Sequence, residues 1–189
     1  MSSQGSPSQG YSKHTFVVYV EDKPGVLNRV ASLFRRRAFN IDSLSVGPTE
    51  QPGVSRMTIV VEADETIARR VEANLYKLVN VLCVEDVTFR PSVTRDLALI
   101  KVRADPEARA HILQLCEVFR AKALDVTPKA LIVEITGTED KIEGLLEVLR
   151  PFGIIEMART GRVAMTRGPQ AATVNPEFVS ALVPNGAGG

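Results

Sequence analysis

Apolar residues change their spacing several times along the chain, and these changes predict its secondary structure. An apolar, β-branched run from Thr15 to Val20 predicts a central strand, because its residues are apolar on both faces. From Leu27 onward, apolar residues recur every three or four positions, which predicts an amphipathic helix of about 15 residues. The following segments predict a strand at 40–46, a hairpin loop at 47–53, a strand at 55–62, a helix at about 64–78 and a strand at 80–89. The predicted order over residues 13–90 is therefore βαββαβ.

The second half of the chain repeats this order. Its predicted segments are a strand at 97–102, a helix carrying Ala108 to Phe119, two middle strands joined by a short loop at 127–130, the second of them at 131–136, a helix over 142–149, and a closing strand pair or long strand at 154–165. The stretch from Phe34 to Ile41 matches the stretch from Phe119 to Val126 in residue class, 85 positions later. We therefore predict an α+β fold of two ferredoxin-like βαββαβ units, at 13–90 and 95–168.

The segments outside these units differ in composition. Residues 1–12 are rich in Ser, Gln and Gly and have almost nothing to bury, which predicts a disordered N-terminus. Pro91 and Ser92 predict a linker between the units. Residues 169–189, rich in Pro, Ala, Asn and Gly, predict a flexible tail.

The overall composition excludes several classes of function. The 189 residues are 44% apolar and 24% charged with a formal net charge of +1, so nothing in the charge favours nucleic acid or an anionic membrane surface as a partner. Cys83 and Cys116 are too few for a disulfide framework or a zinc site, and their apolar neighbours predict buried, reduced thiols. No apolar run approaches the ~20 residues of a membrane span, and no signal-peptide pattern opens the chain, so we expect a cytoplasmic protein.

The stretch from Val18 to Val30 combines a strand, a turn and a helix start in a way that suits a ligand. We expect Asp22 or Lys23 at the helix N-cap and Pro24 at a position where a missing N–H is tolerated. A glycine in the first turn weakens the helix by ~1 kcal/mol relative to alanine, but it lets an anion such as a carboxylate approach the free backbone donors. These donors are the N–H groups of Gly25, Val26 and Leu27. A plain capped turn without a ligand explains the same residues.

The chain offers no residue pattern typical of an enzyme active site. It has two histidines, His14 at a predicted strand start and His111 on the predicted solvent side of a helix, and we interpret both as surface residues without a nucleophile nearby in sequence. There is no P-loop, no GxGxxG and no metal-ligand spacing. The basic run Arg35–Arg37 ends a helix, where positive charge is favoured, so we interpret it as a solvated face, with partner docking as the alternative. We therefore predict no catalytic residues and no metal site.

Two motifs in the first unit resemble a known family. Residues 21–30 read Glu-Asp-x-x-Gly-x-Leu-x-Arg-Val, and residues 34–44 read Phe-x-x-Arg-x-Phe-Asn-Ile-x-Ser-Leu. Together they resemble the ACT amino-acid-sensing domain and, more narrowly, the regulatory small subunits of acetohydroxyacid synthase, also called acetolactate synthase. Further matches follow in the expected order at 48–49, 55–59, 77–81, 95–102 and 156–161, so the resemblance covers roughly residues 14–168.

This resemblance implies a noncatalytic partner of a large, thiamine-diphosphate-dependent subunit. Such a partner raises the activity of the large subunit and makes it sensitive to branched-chain end products, chiefly valine. The chain itself would hold no cofactor, and thiamine diphosphate, Mg²⁺ and FAD would belong to the large subunit. Carried over to this sequence, the effector site comprises Asp22, Gly25 and Val26 from the first loop and Asn40 and Ile41 from the second strand.

One position departs from the family pattern. The family usually has glycine where this chain has Ala38, and a glycine there would suit a left-handed helix cap. The alanine therefore leaves open how the helix ends, and with it the position of Asn40.

The predicted geometry separates the two halves of this effector site. A helix of about 15 residues, rising ~1.5 Å per residue, places Gly25 and Asn40 about 20 Å apart, at opposite ends of the sheet. If both contact one amino acid, they come from different protomers, so we predict a two-fold homodimer through the ACT domain that valine strengthens. Two other functions fit the same residues: a free-standing ACT sensor for another amino-acid enzyme, and a small enzyme of an unrecognised class.

Overall fold

The computed structural model describes residues 10–169 and residue 174. The disorder predicted for 1–12 and the flexible tail predicted for 169–189 lie outside the described residues, except at 10–12, 169 and Val174. Of the described residues, those up to Ser92 and those from Thr166 onward form one compact unit, and Val93–Met165 form another. We refer to them as the first unit and the second unit.

The first unit contains a four-stranded antiparallel sheet and two helices. Its elements, in chain order, are β1 (Ser12–Glu21), α1 (Val26–Arg36), β2 (Ile41–Pro48), β3 (Val54–Ala63), α2 (Glu65–Leu75) and β4 (Val81–Asp86). The strand order is β2-β3-β1-β4, and each neighbouring pair is antiparallel. The order βαββαβ predicted for this part of the chain is confirmed.

The core of the first unit explains why its sequence folds this way. Helix α1 turns four residues at helical spacing toward the sheet, namely Val26, Val30, Leu33 and Phe34. Strand β1 is buried on both faces, since Phe16 and Val18 belong to the core under the helices and Val17, which points the other way, is also fully buried. The prediction that residues 15–20 form a central strand is therefore confirmed.

The second unit has a similar core architecture with an additional strand. Its elements are β5 (Ser92–Arg103), α3 (Pro106–Phe119), β6 (Lys122–Val126), β7 (Ala130–Gly137), α4 (Glu139–Leu149), a 3-10 turn (Arg150–Phe152), β8 (Ile154–Arg159) and β9 (Val163–Thr166). The strand order is β6-β7-β5-β8, and β9 also pairs with β5. The closing segment predicted at 154–165 is thus a pair of strands.

The central strand of the second unit is less buried than that of the first. Alternate residues Ala98, Ile100 and Val102 of β5 are completely buried in the core beneath the helices. Leu99, which points to the opposite face, is 37% exposed. The strand therefore shows the alternation of a sheet covered on one face, whereas β1 is buried on both.

Candidate functional site

The turn between β1 and α1 holds three of the five predicted effector-site residues. Asp22 and Gly25 are exposed, and the side chain of Val26 is buried at the start of α1. The backbone N–H of Asp22 donates to the carbonyl oxygen of Gly53 at 2.8 Å, so the turn is fastened to the loop between β2 and β3. The sheet therefore fixes the position of the turn.

Gly25 is itself the N-cap of α1, so the N-cap predicted at Asp22 or Lys23 is wrong. Its φ of +83° and ψ of −7° lie in the left-handed region, which glycine adopts without the steric cost that a Cβ brings. Because the chain leaves helical geometry at Gly25 and again after Arg36, α1 has 11 residues rather than about 15.

The first turn of α1 leaves backbone donors available. No side chain caps this helix, and its first turn contains no acidic residue. The N–H of Val26 donates to the carbonyl oxygen of Lys23 at 3.3 Å, whereas the N–H groups of Gly25, Leu27 and Asn28 have no acceptor among the described residues. Free donors and the helix dipole both favour negative charge, so this turn suits a carboxylate.

A buried asparagine from the connection between α2 and β4 holds this turn in place. Asn80, only 9% exposed, donates through Nδ2 to Oε2 of Glu21 and accepts through Oδ1 from Nη1 of Arg29. The backbone N–H of Glu21 donates to the carbonyl oxygen of Asn80 at 2.9 Å. Asn80 thereby joins the end of β1 to the exposed face of α1, on both sides of the predicted site.

The charge of Glu21 reflects this contact. The hydrogen bond from Asn80 lowers the pKa of the Glu21 carboxyl group, against the opposing effect of burial. The ammonium group of Lys23, 3.2 Å from the same carboxylate, acts in the same direction. Glu21 is therefore held ionised beside the turn, where its charge pairs with residues of its own chain.

Sequence reasoning missed the role of Asn80. Its side-chain partners, Glu21 and Arg29, lie 59 and 51 residues away in the chain, so no local spacing connects the three. The available signal was a single polar residue between two apolar ones, Val79 and Val81, at the predicted start of a strand.

The other half of the predicted site follows the end of α1. The N–H of Phe39 donates to the carbonyl oxygen of Phe34 at 3.0 Å, and the N–H of Ala38 donates to that of Arg35 at 3.2 Å. Ala38 has a φ of +54°, and the rings of Phe34 and Phe39 meet edge to face at 6.0 Å. These features form a Schellman motif, so the left-handed cap is present although its residue is alanine.

Helix α3 ends in the same way, which corrects the predicted match between the units. Arg120 has a φ of +52°, and the N–H of Ala121 donates to the carbonyl oxygen of Cys116 at 2.7 Å. Arg120 is thus the counterpart of Ala38, 82 positions later, so the predicted spacing of 85 is out of register by three residues. The match at 85 positions rests on similar residue classes. The positions that correspond in the structure are instead the two left-handed residues that end the helices.

The structure does not bring the two halves of the predicted site together within one chain. Ile41 pairs with Val61, which in turn pairs with His14 near the start of β1. Glu21, which leads into the turn at Gly25, lies seven residues farther along β1, or about 24 Å at ~3.4 Å per residue. Asn40, which is exposed, and the half-buried Ile41 therefore lie at the opposite end of the sheet from Gly25.

His14 was expected at the surface, and this prediction is wrong. The side chain is 2% exposed and packs between Phe16 and Phe89, with ring centroids at 6.3 and 5.9 Å. Its Nδ1 lies 3.3 Å from Oδ2 of Asp86 and its Nε2 lies 3.3 Å from Oγ of Ser12. Both distances exceed those of an activated nucleophile–base pair, and we assign this cluster a structural role at the start of β1.

Both cysteines are free, and their surroundings differ slightly. Cys116 is buried in the core of the second unit, and Cys83 is half-buried on β4. Burial raises the pKa of both thiols, which keeps them protonated and poorly reactive. They behave as apolar side chains of the fold.

Two further observations concern residues 10–169 and 174. Within that part of the chain, no group of three or more His, Cys, Asp or Glu side chains is arranged to hold a metal ion. None of the helices there is both long and apolar enough to cross a membrane.

Comparisons with known proteins cover both units. The family pattern described as the AHAS small subunit-like ACT domain matches residues 16–83, and the pattern described as the small subunit of acetolactate synthase matches residues 95–168. The chain is 52% identical over 156 residues to the probable acetolactate synthase small subunit of Archaeoglobus fulgidus, covering 82% of this chain and 98% of that protein. It is 51% identical over 163 residues to the acetolactate synthase small subunit of Mycolicibacterium smegmatis, covering 86% of this chain and 96% of that one.

A solved structure agrees with these matches. The crystal structure of the acetolactate synthase small subunit from Thermotoga maritima aligns with a TM-score of 0.78 at 43% sequence identity. The alignment covers 84% of this chain and 99% of that one, so the similarity extends over both units.

Proposed function

The chain belongs to the acetolactate synthase small-subunit family, and from this premise we propose that it regulates the large catalytic subunit of that enzyme. In this proposal the chain activates the large subunit and makes it subject to feedback inhibition by valine. The observation that supports an effector site is the open start of α1, with three free backbone donors and no acidic residue in the first turn of the helix. Thiamine diphosphate, Mg²⁺ and FAD are assigned to the large subunit, and this chain contributes no catalytic residue.

The proposed effector site divides the amino acid between two chains. The carboxylate of valine accepts from the N–H groups at the Gly25 turn, beside Asp22 and Val26. Asn40 of the partner subunit accepts from its ammonium group, and Ile41 of the partner subunit contacts its branched side chain. This division follows from the separation of about 24 Å between the two groups within one chain, since no amino acid spans that distance.

The surface of the first unit supports a homodimer. Strand β2, which begins with Ile41, lies at one edge of the sheet, where a second chain has access to it. Leu27 on α1 and Val46 on β2 are apolar and 45% and 46% exposed, respectively. A two-fold interface over these elements buries both side chains and forms two equivalent effector sites.

Regulation then follows from linkage. Valine binds across the interface and therefore favours the arrangement of the dimer in which both halves of the site meet. A large subunit that binds the two arrangements with different affinity changes its activity in response. By reciprocity, binding of the large subunit changes the affinity of the chain for valine.

Reconstitution tests this proposal directly. Acetolactate formation by the large subunit is measured with and without the full chain, across a titration of valine, and sedimentation of the chain alone is followed over the same titration. We expect activation without valine, inhibition as valine rises, and a valine-dependent shift toward the dimer. A chain that binds valine tightly as a monomer contradicts the shared site, and a chain that neither activates nor inhibits contradicts the regulatory role.

A substitution separates the effector site from activation. Asn40→Ala removes the proposed ammonium ligand, so we expect activation to persist while valine inhibition is lost. Lys122→Ala is the matched control, because Lys122 follows the left-handed cap of α3 by two residues, as Asn40 follows that of α1. Equal loss of activation and inhibition in Asn40→Ala shows instead that Asn40 supports the fold.

A further inference from the structure

The sheet of the first unit has two edges, and a tyrosine occupies one of them. The strand order β2-β3-β1-β4 leaves β2 at one edge and β4 at the other. An edge strand presents backbone N–H and C=O groups that point away from the sheet, and these groups can pair with a strand of another chain. The two edges therefore determine how copies of this sheet can associate.

Strand β4 turns the backbone N–H and C=O groups of Val84 toward its free edge. Just after β4, the N–H of Val87 donates to the carbonyl oxygen of Thr15 at 2.9 Å, so this position is bonded across to β1. In an antiparallel pair, residues bonded across alternate with residues whose groups point outward. Val84 lies three residues before Val87, near the middle of β4, and pairs with Val18 in the same register, so its groups point outward.

Tyr76, the C-cap residue of α2, hydrogen-bonds to both of these groups. Its hydroxyl donates to the carbonyl oxygen of Val84 at 2.9 Å and accepts from the N–H of Val84 at 3.1 Å. These are the bonds that a neighbouring strand would form with Val84. A second chain therefore cannot pair with the middle of β4 unless the Tyr76 hydroxyl is displaced.

Strand β2 has no equivalent of this tyrosine. The N–H of Thr49 donates to the carbonyl oxygen of Val54 at 3.0 Å just after β2, so by the same alternation Leu44 and Val46 turn their backbone groups outward. No side chain of residues 10–169 and 174 hydrogen-bonds to the backbone of Leu44 or Val46. The outward groups at the middle of β2 are thus open to a partner strand, whereas those of Val84 are occupied.

We propose that Tyr76 blocks the β4 edge against pairing with a second copy of this chain and thereby directs association to the β2 edge. Removal of the hydroxyl leaves both backbone groups of Val84 without a partner, and a two-fold pairing of β4 with β4 of a second copy then satisfies them. The part of this inference that concerns β2 rests on the homodimer proposed above, whereas the blocking of β4 does not depend on it.

Tyr76→Phe tests the proposal, because phenylalanine keeps the ring and removes only the hydroxyl group. Sedimentation of the full chain and of the variant is followed over the same range of concentration. We expect Tyr76→Phe to form a species of about twice the mass of the unaltered protein, as one additional two-fold contact produces. Tyr11→Phe is the matched control, because it removes the hydroxyl of a tyrosine that is 63% exposed and lies away from β4. Unchanged sedimentation of Tyr76→Phe, or equal association of Tyr11→Phe, overturns the proposal.

Hydrogen exchange shows where the new contact forms. In a dilute sample of Tyr76→Phe, the amide of Val84 should exchange about tenfold faster than in the unaltered chain, as loss of one hydrogen bond gives. Its protection should return as the larger species forms, because β4 of the second copy replaces the hydroxyl. A larger species in which Val84 stays unprotected places the association elsewhere and overturns the proposal.

Two further outcomes keep this inference separate from the regulatory function. If the unaltered chain is a monomer, the homodimer at β2 is wrong, but Tyr76→Phe should still dimerise through β4. If the unaltered chain dimerises and responds to valine while Tyr76→Phe sediments like it, only the blocking is wrong. Thermal unfolding checks the fold of Tyr76→Phe. Exchange of Val84 in the unaltered chain needs no variant, and an unprotected Val84 amide there also overturns the proposal.

Discussion

Helices α1 and α3 occupy the same place in the order of their units but begin in different ways. Helix α3 starts at Asp105, whose side chain accepts from the N–H of Ala108 at 2.8 Å, and continues with Pro106 and the acidic Glu107. Helix α1 starts at Gly25 without a side-chain cap or an acidic first turn. Both helices end in a Schellman motif with a left-handed residue other than glycine.

This difference separates a helix that is complete within its own chain from one that is open to a ligand. In α3, the carboxylate of Asp105 satisfies a free backbone donor, and Pro106 has no N–H to satisfy. In α1 the same positions leave donors for an external anion. This difference is the reason that the effector site is proposed in the first unit and not in the second, although both units have the same basic topology.

A substitution that gives α1 an acidic N-cap like that of α3 should have the largest effect, a fall in valine affinity. Gly25→Asp places a carboxylate at the N-cap, where it competes with the carboxylate of valine for the same donors and repels it. We expect valine affinity to fall by at least about a hundredfold in calorimetry, with activation of the large subunit retained.

Gly25→Asn is the matched control for that substitution. Asparagine adopts the left-handed conformation about as readily as aspartate and has similar size, but it carries no charge. A smaller loss of valine affinity in Gly25→Asn than in Gly25→Asp is expected. If the two variants lose affinity equally, space or backbone conformation rather than charge governs the site.

The converse substitution removes the side-chain cap of α3 in the second unit. Asp105→Ala removes the cap of α3, so we expect the free energy of unfolding to fall by about 1 kcal/mol, measured by urea denaturation. The proposed valine inhibition should not change, because the effector site is proposed in the first unit. Glu107→Gln, which alters the same turn without removing the capping bond, is the control. Altered valine inhibition in Asp105→Ala would show that the second unit contributes to the effector response.

Substituting glycine for the left-handed residues that end α1 and α3 should have a smaller effect, which stabilises the fold. Ala38→Gly relieves a left-handed alanine, worth ~1–2 kcal/mol, but increases the entropy of the unfolded chain by ~0.5–1 kcal/mol, so we expect a net gain of about 0.5 kcal/mol in urea denaturation. Arg120→Gly should do the same in the second unit. Ala31→Gly, at an exposed position within α1, should instead destabilise, since it places glycine in a helix interior. A loss of stability in Ala38→Gly contradicts the assigned strain.

The smallest expected effect concerns pH. The pKa of Glu21 is lower in the folded chain than in an unfolded one, so its ionised form stabilises the fold at pH values above the ordinary glutamate range. That contribution is lost as the pH falls through the lowered pKa. Glu21→Gln should therefore have a lower melting temperature than the unaltered chain at neutral pH, and the difference should vanish in acid. Glu62→Gln, exposed on β3, is the control. A difference that persists in acid shows that Glu21 acts through shape alone.

The sequence by itself determined the order of the elements and the family. Each helix shows its buried face in the spacing of nearby residues, as Val30 and Phe34 do in α1, and each core strand shows its own run of apolar residues. The motifs around Gly25 and Asn40 are equally local, so the resemblance to the small-subunit family was readable without a structure, and the comparisons confirm it.

Only the tertiary structure decided the details of the site. The contacts of Asn80 and the burial of His14 depend on residues that meet from distant parts of the chain. Local spacing determines which residues form a helix or a strand, but hydrogen bonds and burial between distant residues determine what each side chain contacts, and that information is not present in any single stretch of sequence.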